Sequence, residues 1–402
     1  METKHKLLIN LNFLGYIAYI AIYVVLVNFF GTGNSISNYR YYTLLAITVL
    51  AFLTMFIQEK FKFKALHGKA LHGKELLLAI LVGAVFYLFS LKSAHDAGVA
   101  LNLRTYVQIS LFLLPALYAF CFINIFSVEQ ICKLLCITTV LLIIAYFMEP
   151  SHTIFEFFKI QNWLNINFSR FVSFTESSKY SESFLQLFLI FHYLGKKAKA
   201  ANKIKIFRIF SAITFIFTIL SFKRLAILFA IVILIFDLMF NKKIKIDVVF
   251  KRNYAIIFAV LFALLTVAYT KIVQGQWLTN FNVHRFTSAR DYILSLWANQ
   301  NYYSFGYGTS MLVIGRYLEM DLVQIYLELN IFAVFIFCYA FFKVGRKNIY
   351  SNLILIYAFL NMLTASSLPQ QICWVIMLIS ISFMASDKCN FDDVLTDEGG
   401  KV

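Results

Sequence analysis

Residues 7–30 read LLINLNFLGYIAYIAIYVVLVNFF, a run of 24 residues without a charged side chain. The hydrocarbon core of a bilayer is about 30 Å thick, and a helix needs about 20 apolar residues to cross it. The run is apolar on every side, whereas a strand of a membrane barrel alternates apolar and polar residues. No small-residue cleavage site follows it, so we expect a retained transmembrane helix and not a signal peptide.

Similar windows recur along the whole chain. Of the 402 residues, 61% are hydrophobic and only 14% are charged, against about 25% charged in an average soluble domain. We therefore predict an all-α, polytopic integral membrane protein with about twelve transmembrane helices. The windows are 7–30, 42–58, 76–91, 106–126, 131–148, 183–194, 208–222, 225–240, 254–270, 322–342, 349–367 and 372–386, of which the sixth and seventh are weak.

The basic residues predict the orientation, because lysine and arginine accumulate in short cytoplasmic loops. With the N-terminus inside, 24 of the 36 basic residues fall on the cytoplasmic side. The alternation holds across all twelve windows and predicts that both termini are cytoplasmic. Most of the net charge of +16 follows from this bias, so no nucleic-acid partner is expected.

We expect a single membrane domain over residues 1–402, with two large external loops at 149–182 and 271–321. The first loop is rich in aromatic residues and contains Arg170. This composition suits a segment lying in the membrane interface, where rings sit at the depth of the headgroups.

The second loop contains Arg285, Arg290 and Trp297. If 286–298 is helical, Arg290 and Trp297 lie two turns apart on one face. An arginine beside an aromatic ring can hold a phosphate next to a sugar. Packing of the arginine on the ring for loop stability alone is the alternative.

The two basic residue types are unevenly distributed. The 24 inside residues comprise 21 Lys and 3 Arg, whereas the 12 outside comprise 5 Lys and 7 Arg. Lysine alone provides the positive charge that the topology needs inside. The excess of arginine outside therefore suggests bidentate binding of a phosphate or carboxylate. Ordinary salt bridges to the external acidic residues are the alternative.

A polar stripe marks the beginning of the tenth window. Asp321, Gln324 and Glu328 are spaced three and then four residues apart, so they share one helix face. Ionisable groups at membrane depth usually face a bundle interior or a cavity. Asp321, at the boundary, is expected to reach water and act as a base. For Glu328, a functional role and a structural pair with a cation both stay open.

Three segments resemble O-antigen or capsular polysaccharide repeat-unit polymerases (Wzy type), in the O-antigen polymerase and ligase superfamily. They are Arg170-Phe-Val-Ser-Phe-Thr-Glu176, Ser221-Phe-Lys-Arg224, and Arg290-Asp-Tyr-Ile-Leu-Ser-Leu-Trp297 with the following Gly306-Tyr-Gly308 and Glu319 to Asn330. Many relatives have His-Asn where this chain has Glu319-Met320, and Glu-x-Gly where it has Glu328-Leu-Asn330. A carboxylate in place of the histidine is chemically acceptable, because either group can take a proton from a sugar hydroxyl.

The resemblance implies a metal-independent glycosyltransferase without a cofactor, in the bacterial inner membrane. It would polymerise undecaprenyl-diphosphate-linked oligosaccharide units on the outer face, to make capsule or the O-antigen of lipopolysaccharide. Membrane lipids, a chain-length regulator and a flippase would be its partners. Asp321, Glu319 and Arg290 would be catalytic. The substrate-binding residues would be Arg170, Arg224, Arg285, Trp297 and Glu328.

Two other functions stay open. A lipid-linked oligosaccharide flippase also has about twelve helices, but its external loops are short. An O-antigen ligase, which transfers finished glycan to the lipid A core, is less compatible with the missing histidine. An ion-coupled transporter would show matching repeats and broken helices in its two halves, and the sequence shows neither.

Overall fold

The helical prediction is confirmed in the computed structural model of the chain. Helices account for its regular structure, and no strand occurs among the described residues. These are residues 2–31, 36–58, 72–149, 178–221, 223–240, 253–275, 290, 292, 294–295, 304–315, 318–345, 348–365, 368 and 370–385. In chain order the helices are α1 (Glu2–Phe30), a 3-10 turn (Ile36–Asn38), α2 (Tyr39–Ile57), α3 (His72–Asp96), α4 (Leu103–Ile125), α5 (Val128–Met148), α6 (Ser181–Lys197), α7 (Ala201–Leu220), α8 (Arg224–Phe240), α9 (Tyr254–Val273), α10 (Thr309–Val313), α11 (Asp321–Glu328), α12 (Ile331–Gly345), α13 (Ile349–Thr364) and α14 (Gln371–Ala385).

Over the described residues, eleven of the twelve apolar windows each correspond to one helix, and the window 322–342 corresponds to two. Within the described ranges, six helices are long and apolar enough to cross a membrane, namely α1 to α5 and α9. Shorter apolar helices occur in α8, α12, α13 and α14. This combination of length and composition is that of a helical multi-pass membrane protein. Twelve crossings, their orientation and the two external loops stay predictions.

The prediction of one continuous helix over 322–342 is wrong. Helix α11 ends at Glu328, and α12 begins at Ile331. The hydroxyl of Ser304 donates to the Glu328 carbonyl, which satisfies an acceptor at the end of α11. The Asn330 side chain then accepts from the Ala333 N–H at 3.0 Å and caps the start of α12.

The chain folds into two compact units, each with its own packed core. The first unit comprises residues 1–69, 118–246 and 375–402, and the second comprises residues 70–117 and 247–374.

In the first unit, α1 packs against α2 and α5. Tyr16 of α1 stacks on Tyr118 with ring centroids 6.2 Å apart, and its hydroxyl is hydrogen-bonded to that of Thr138 at 3.1 Å. A capping box defines the start of α5, because Ser127 and Gln130 exchange side-chain to backbone hydrogen bonds. Helices α6 and α7 form a hairpin across the three residues 198–200.

In the second unit, α12 packs against α3, α9 and α13. Aromatic rings fill these contacts: the centroid of Phe342 lies 5.5 Å from that of Phe262 in α9 and 5.2 Å from that of Phe359 in α13. The ring of Phe337, also in α12, lies 5.8 Å from Phe86 of α3. Helix α11 contacts α9, α12 and α13, which places the predicted polar stripe inside this core.

Candidate active site

The most complete polar arrangement in the second unit surrounds Glu328. Its carboxylate accepts hydrogen bonds from the backbone N–H of Gly308 at 2.7 Å and from that of Ser310 at 2.8 Å. The Gln324 amide, one turn earlier, lies 3.2 and 3.1 Å from its two oxygens. Gln324 and Glu328 therefore share one helix face, as predicted, and Glu328 is 1% exposed.

The Glu328 carboxylate binds the loop that contains Gly308 and Ser310. Helix α11 has eight residues and is about 12 Å long, too short to cross a bilayer core. Across the described residues, no lysine or arginine forms an ion pair with Glu328, and the alternative of a structural pair with a cation stays open.

The loop held by Glu328 contains the Gly306-Tyr-Gly308 motif. Gly306 has φ +112°, and a Cβ atom there would lie 2.9 Å from Cβ of Ser90 in α3. Gly308 has φ +95°, with a similarly close approach to Gln108 of α4. The Tyr307 N–H donates to the Ser90 hydroxyl at 3.0 Å. The motif thus permits a left-handed backbone and close contact with α3 and α4.

Asp321 does not reach water as the sequence predicted. Its side chain is buried, with the residue 3% exposed, and Oδ2 accepts a hydrogen bond of 2.8 Å from the Leu368 N–H. Residue 368 follows α13 and is 47 positions away in the chain. The first residue of α11 therefore fixes a distant backbone segment, which explains its burial.

Glu319, two residues before Asp321, is exposed. Its backbone φ is +58°, a left-handed conformation that is uncommon for a residue other than glycine. Leu318 and Met320 on either side are both 0% exposed. Two buried apolar neighbours thus hold the backbone in this conformation and direct the Glu319 side chain outward. Strained residues of this kind cluster at active sites and ligand clamps.

Arg290 interacts with α9, and its segment contacts the beginning of α11 through Leu294. Its half-buried guanidinium is hydrogen-bonded to the Tyr269 side chain of α9, and its buried Nε has no hydrogen-bond partner within the described part of the chain. Leu294, one turn later, packs in a buried apolar cluster with Met320 and Val323. Arg290 is therefore on a segment that packs directly against α11.

A second polar group lies in the first unit. The Lys223 ammonium is 2.6 Å from the Glu182 carboxylate, and their side chains are 19% and 2% exposed. The Ser178 N–H donates to the Ser221 carbonyl at 3.1 Å, which joins the segments before α6 and α8. Arg224, the first residue of α8, is exposed.

No pattern in the sequence predicts a role for Glu182 or Lys223. Lys223 lies in the Ser221 to Arg224 segment, and Glu182 lies at the end of the predicted external loop 149–182. Their opposite charges were the available signal, but the pairing depends on a contact across 41 residues. Three predicted site residues, Arg170, Arg285 and Trp297, lie outside the described residues, as do most of loop 149–182 and much of loop 271–321.

The site therefore consists, in the second unit, of Arg290 with Tyr269, the exposed Glu319, the buried Asp321 and the Glu328 loop. Guanidinium and carboxylate groups in this arrangement can bind an anion and take up a proton. The described residues contain no group of three or more His, Cys, Asp and Glu side chains that could hold a metal ion. No family model, curated protein or solved structure matches the chain.

Proposed function

We propose that the protein is a glycosyltransferase that polymerises undecaprenyl-diphosphate-linked oligosaccharide units. The observation that supports this most is the position of Arg290. Its guanidinium interacts with the Tyr269 side chain, and Leu294 of the same segment packs against Met320, the residue after the exposed Glu319. Transfer from a diphosphate leaving group to a hydroxyl acceptor requires a cation and a base, and these two residues are the proposed ones.

In the proposed reaction, a sugar hydroxyl of one lipid-linked unit attacks the anomeric carbon of a second unit or growing chain. A new glycosidic C–O bond forms, and the C–O bond to the diphosphate breaks. Undecaprenyl diphosphate leaves with the bonding electron pair, and the hydroxyl proton passes to the base. Arg290 would stabilise the charge that develops on the diphosphate, because a guanidinium offers bidentate hydrogen bonds to phosphate oxygens.

Glu319 is the better candidate for the base, and Asp321 for a positioning residue. A general base must reach the hydroxyl from which it takes the proton. Glu319 is exposed, whereas Asp321 is buried and accepts from the Leu368 N–H. This assignment reverses the order expected from the sequence. In the same proposal, Glu328 supports the loop of Gly306 and Gly308 rather than binding substrate.

Arg224, whose side chain is exposed, is proposed as a substrate contact on the sequence resemblance alone. Arg170 and Arg285 are proposed as further contacts with the diphosphate, and Trp297 with a sugar ring, on the sequence resemblance alone. The reaction would take place on the outer face of the bacterial inner membrane. A flippase that supplies the units and a regulator of chain length are the proposed partners.

Analysis of surface glycan from the source strain tests the proposal. Deletion of the gene should abolish the ladder of long chains and leave a single repeat unit at the surface. Arg290→Ala should reproduce this pattern, and Arg290→Lys should shorten the chains, because lysine lacks the bidentate geometry. Arg104→Lys, at the beginning of α4, is the matched control and should retain full chain lengths.

The same experiment distinguishes the other functions. Loss of all surface glycan, with lipid-linked units trapped inside, would indicate a flippase. Accumulation of long lipid-linked chains that are not attached to the lipid A core would indicate a ligase. Full chain lengths in Arg290→Lys would contradict the bidentate role of Arg290.

A further inference from the structure

An apolar crevice of about 520 Å³ lies in the first unit, and none of its lining residues is assigned to the proposed reaction. Phe13 of α1, Cys136 and Ile137 of α5, and Phe207 and Phe210 of α7 line it. Its volume falls within the range of roughly 300–1,000 Å³ that is usual for small-molecule sites. Helices α1 and α5 are long and apolar enough to cross a membrane, so a crevice between them can open toward lipid.

The crevice also has charged residues in its lining. Lys133 and Lys203 line it together with Glu129. The Lys133 ammonium lies 2.8 Å from the Glu129 carboxylate, and Lys203 also interacts electrostatically with Glu129. Lys133 is 64% exposed, so its ammonium reaches solvent while this pair is formed. Two cations and one carboxylate leave an excess of one positive charge.

The position of these charges along the helices favours a lipid headgroup. Glu129 and Lys133 lie in the first turns of α5, and Lys203 lies in the first turn of α7. The lysine distribution predicts that both helix ends are cytoplasmic, where anionic lipids attract basic residues. An apolar crevice with a basic rim matches one class of molecule, which combines a hydrocarbon chain with a phosphate.

We propose that this crevice binds an anionic phospholipid. One acyl chain lies along Phe13, Ile137 and Phe210, and the phosphate contacts Lys133 and Lys203. Glu129 limits the affinity, because it competes for the Lys133 ammonium. The lipid is a bound component of the first unit, and its binding does not depend on the proposed glycosyltransferase activity.

Native mass spectrometry of the purified full-length protein tests the site. The protein is released from detergent micelles doped with phosphatidylglycerol or with phosphatidylcholine of the same acyl chains. We expect preferential retention of phosphatidylglycerol. Each lysine-to-alanine change, at Lys133 or Lys203, should reduce this preference about fivefold. Lys205→Ala is the control, since Lys205 is exposed on α7 but does not line the crevice.

Two further variants change different parts of the site. Glu129→Gln removes the competing carboxylate and should increase the preference for phosphatidylglycerol. Cys136→Phe fills the crevice and should reduce the retention of both lipids, with the melting temperature confirming that this variant folds. Together they separate recognition of the headgroup from recognition of the chain.

Three results would overturn the proposal. The first is equal retention of both lipids by the unchanged protein. The second is an equal effect of Lys205→Ala and the double variant Lys133→Ala/Lys203→Ala, which would indicate general surface electrostatics. The third is stronger retention of a polyprenyl phosphate than of phosphatidylglycerol, with the same dependence on Lys133 and Lys203. That result would assign the crevice to a different lipid.

Discussion

The carboxylate of Glu328 binds the backbone N–H of Gly308 at 2.7 Å, although the two residues are 20 positions apart. A second backbone N–H, from Ser310, binds the other carboxylate oxygen at 2.8 Å. One side chain of α11 thus holds the loop that packs against α3 and α4. Such a contact fixes the geometry of the second unit around the candidate active site.

Removal of the Glu328 carboxylate should therefore destabilise the protein. In Glu328→Ala, two buried N–H groups lose their acceptor, and hydrogen bonds to charged groups contribute about 1.5–3 kcal/mol each. We expect a clear decrease in the melting temperature in detergent, measured by thermal unfolding. Glu319→Ala is the control, because an exposed change should alter stability by no more than about 0.5 kcal/mol. Equal shifts in the two variants would contradict the role of Glu328.

The close approach of Gly306 to α3 gives a second stability prediction. Gly306→Ala would place a Cβ atom 2.9 Å from Cβ of Ser90, whereas Gly315 has φ +75° and no atom within 4 Å of a Cβ built there. Gly315→Ala should lower the free energy of unfolding by at least about 1 kcal/mol, from backbone strain alone. Gly306→Ala should lower the free energy of unfolding by about 1–3 kcal/mol more than Gly315→Ala does, because Ser90 must move. Thermal unfolding of both variants measures the difference, and equal losses would show that the contact with Ser90 is unimportant.

Glu319 and Asp321 should respond differently to neutralisation. Glu319→Gln removes the proposed base and should lower the polymerisation rate about 100-fold or more, with an unchanged melting temperature. Asp321→Asn should lower the melting temperature, because a neutral side chain binds the Leu368 N–H less strongly. Chain-elongation rates and thermal unfolding of the two purified variants provide the comparison. A normal rate in Glu319→Gln would remove the base assignment.

The ion pair of Lys223 and Glu182 predicts strong coupling between α6 and the start of α8. Loss of one partner from a buried pair costs about 3–5 kcal/mol, and the partial exposure of Lys223 should reduce this cost. Lys223→Met and Glu182→Gln should each destabilise the protein, and the double variant should be less destabilised than the sum of the two. A double-mutant cycle of melting temperatures measures this coupling. Additive effects would mean that the pair contributes little.

Several features were predictable because they depend on local composition. Apolar windows identify helices directly, since each window must bury its backbone polar groups within its own helix. The stripe of Asp321, Gln324 and Glu328 followed from helical spacing, and Gln324 does contact Glu328. The weak windows at 183–194 and 208–222 correspond to α6 and α7, which are not among the helices suited to crossing a membrane.

Other features depend on contacts between distant residues, which no local pattern in the sequence reveals. The burial of Asp321 requires Leu368, and the pairing of Glu182 requires Lys223. The interruption between Glu328 and Ile331 depends on Ser304, which donates to the last carbonyl of α11. Gly306 and Gly308 form a sequence motif. Their left-handed backbone and their close approach to Ser90 and Gln108 are properties of the folded structure.

The central claim is that this protein joins lipid-linked oligosaccharides. The most direct measurement supplies the purified protein with undecaprenyl-diphosphate-linked repeat units and follows both chain length and released undecaprenyl diphosphate. The account predicts longer lipid-linked chains, one released lipid diphosphate for each new linkage, and loss of both products in Arg290→Ala. Transport of the units across a vesicle membrane without any elongation would contradict it.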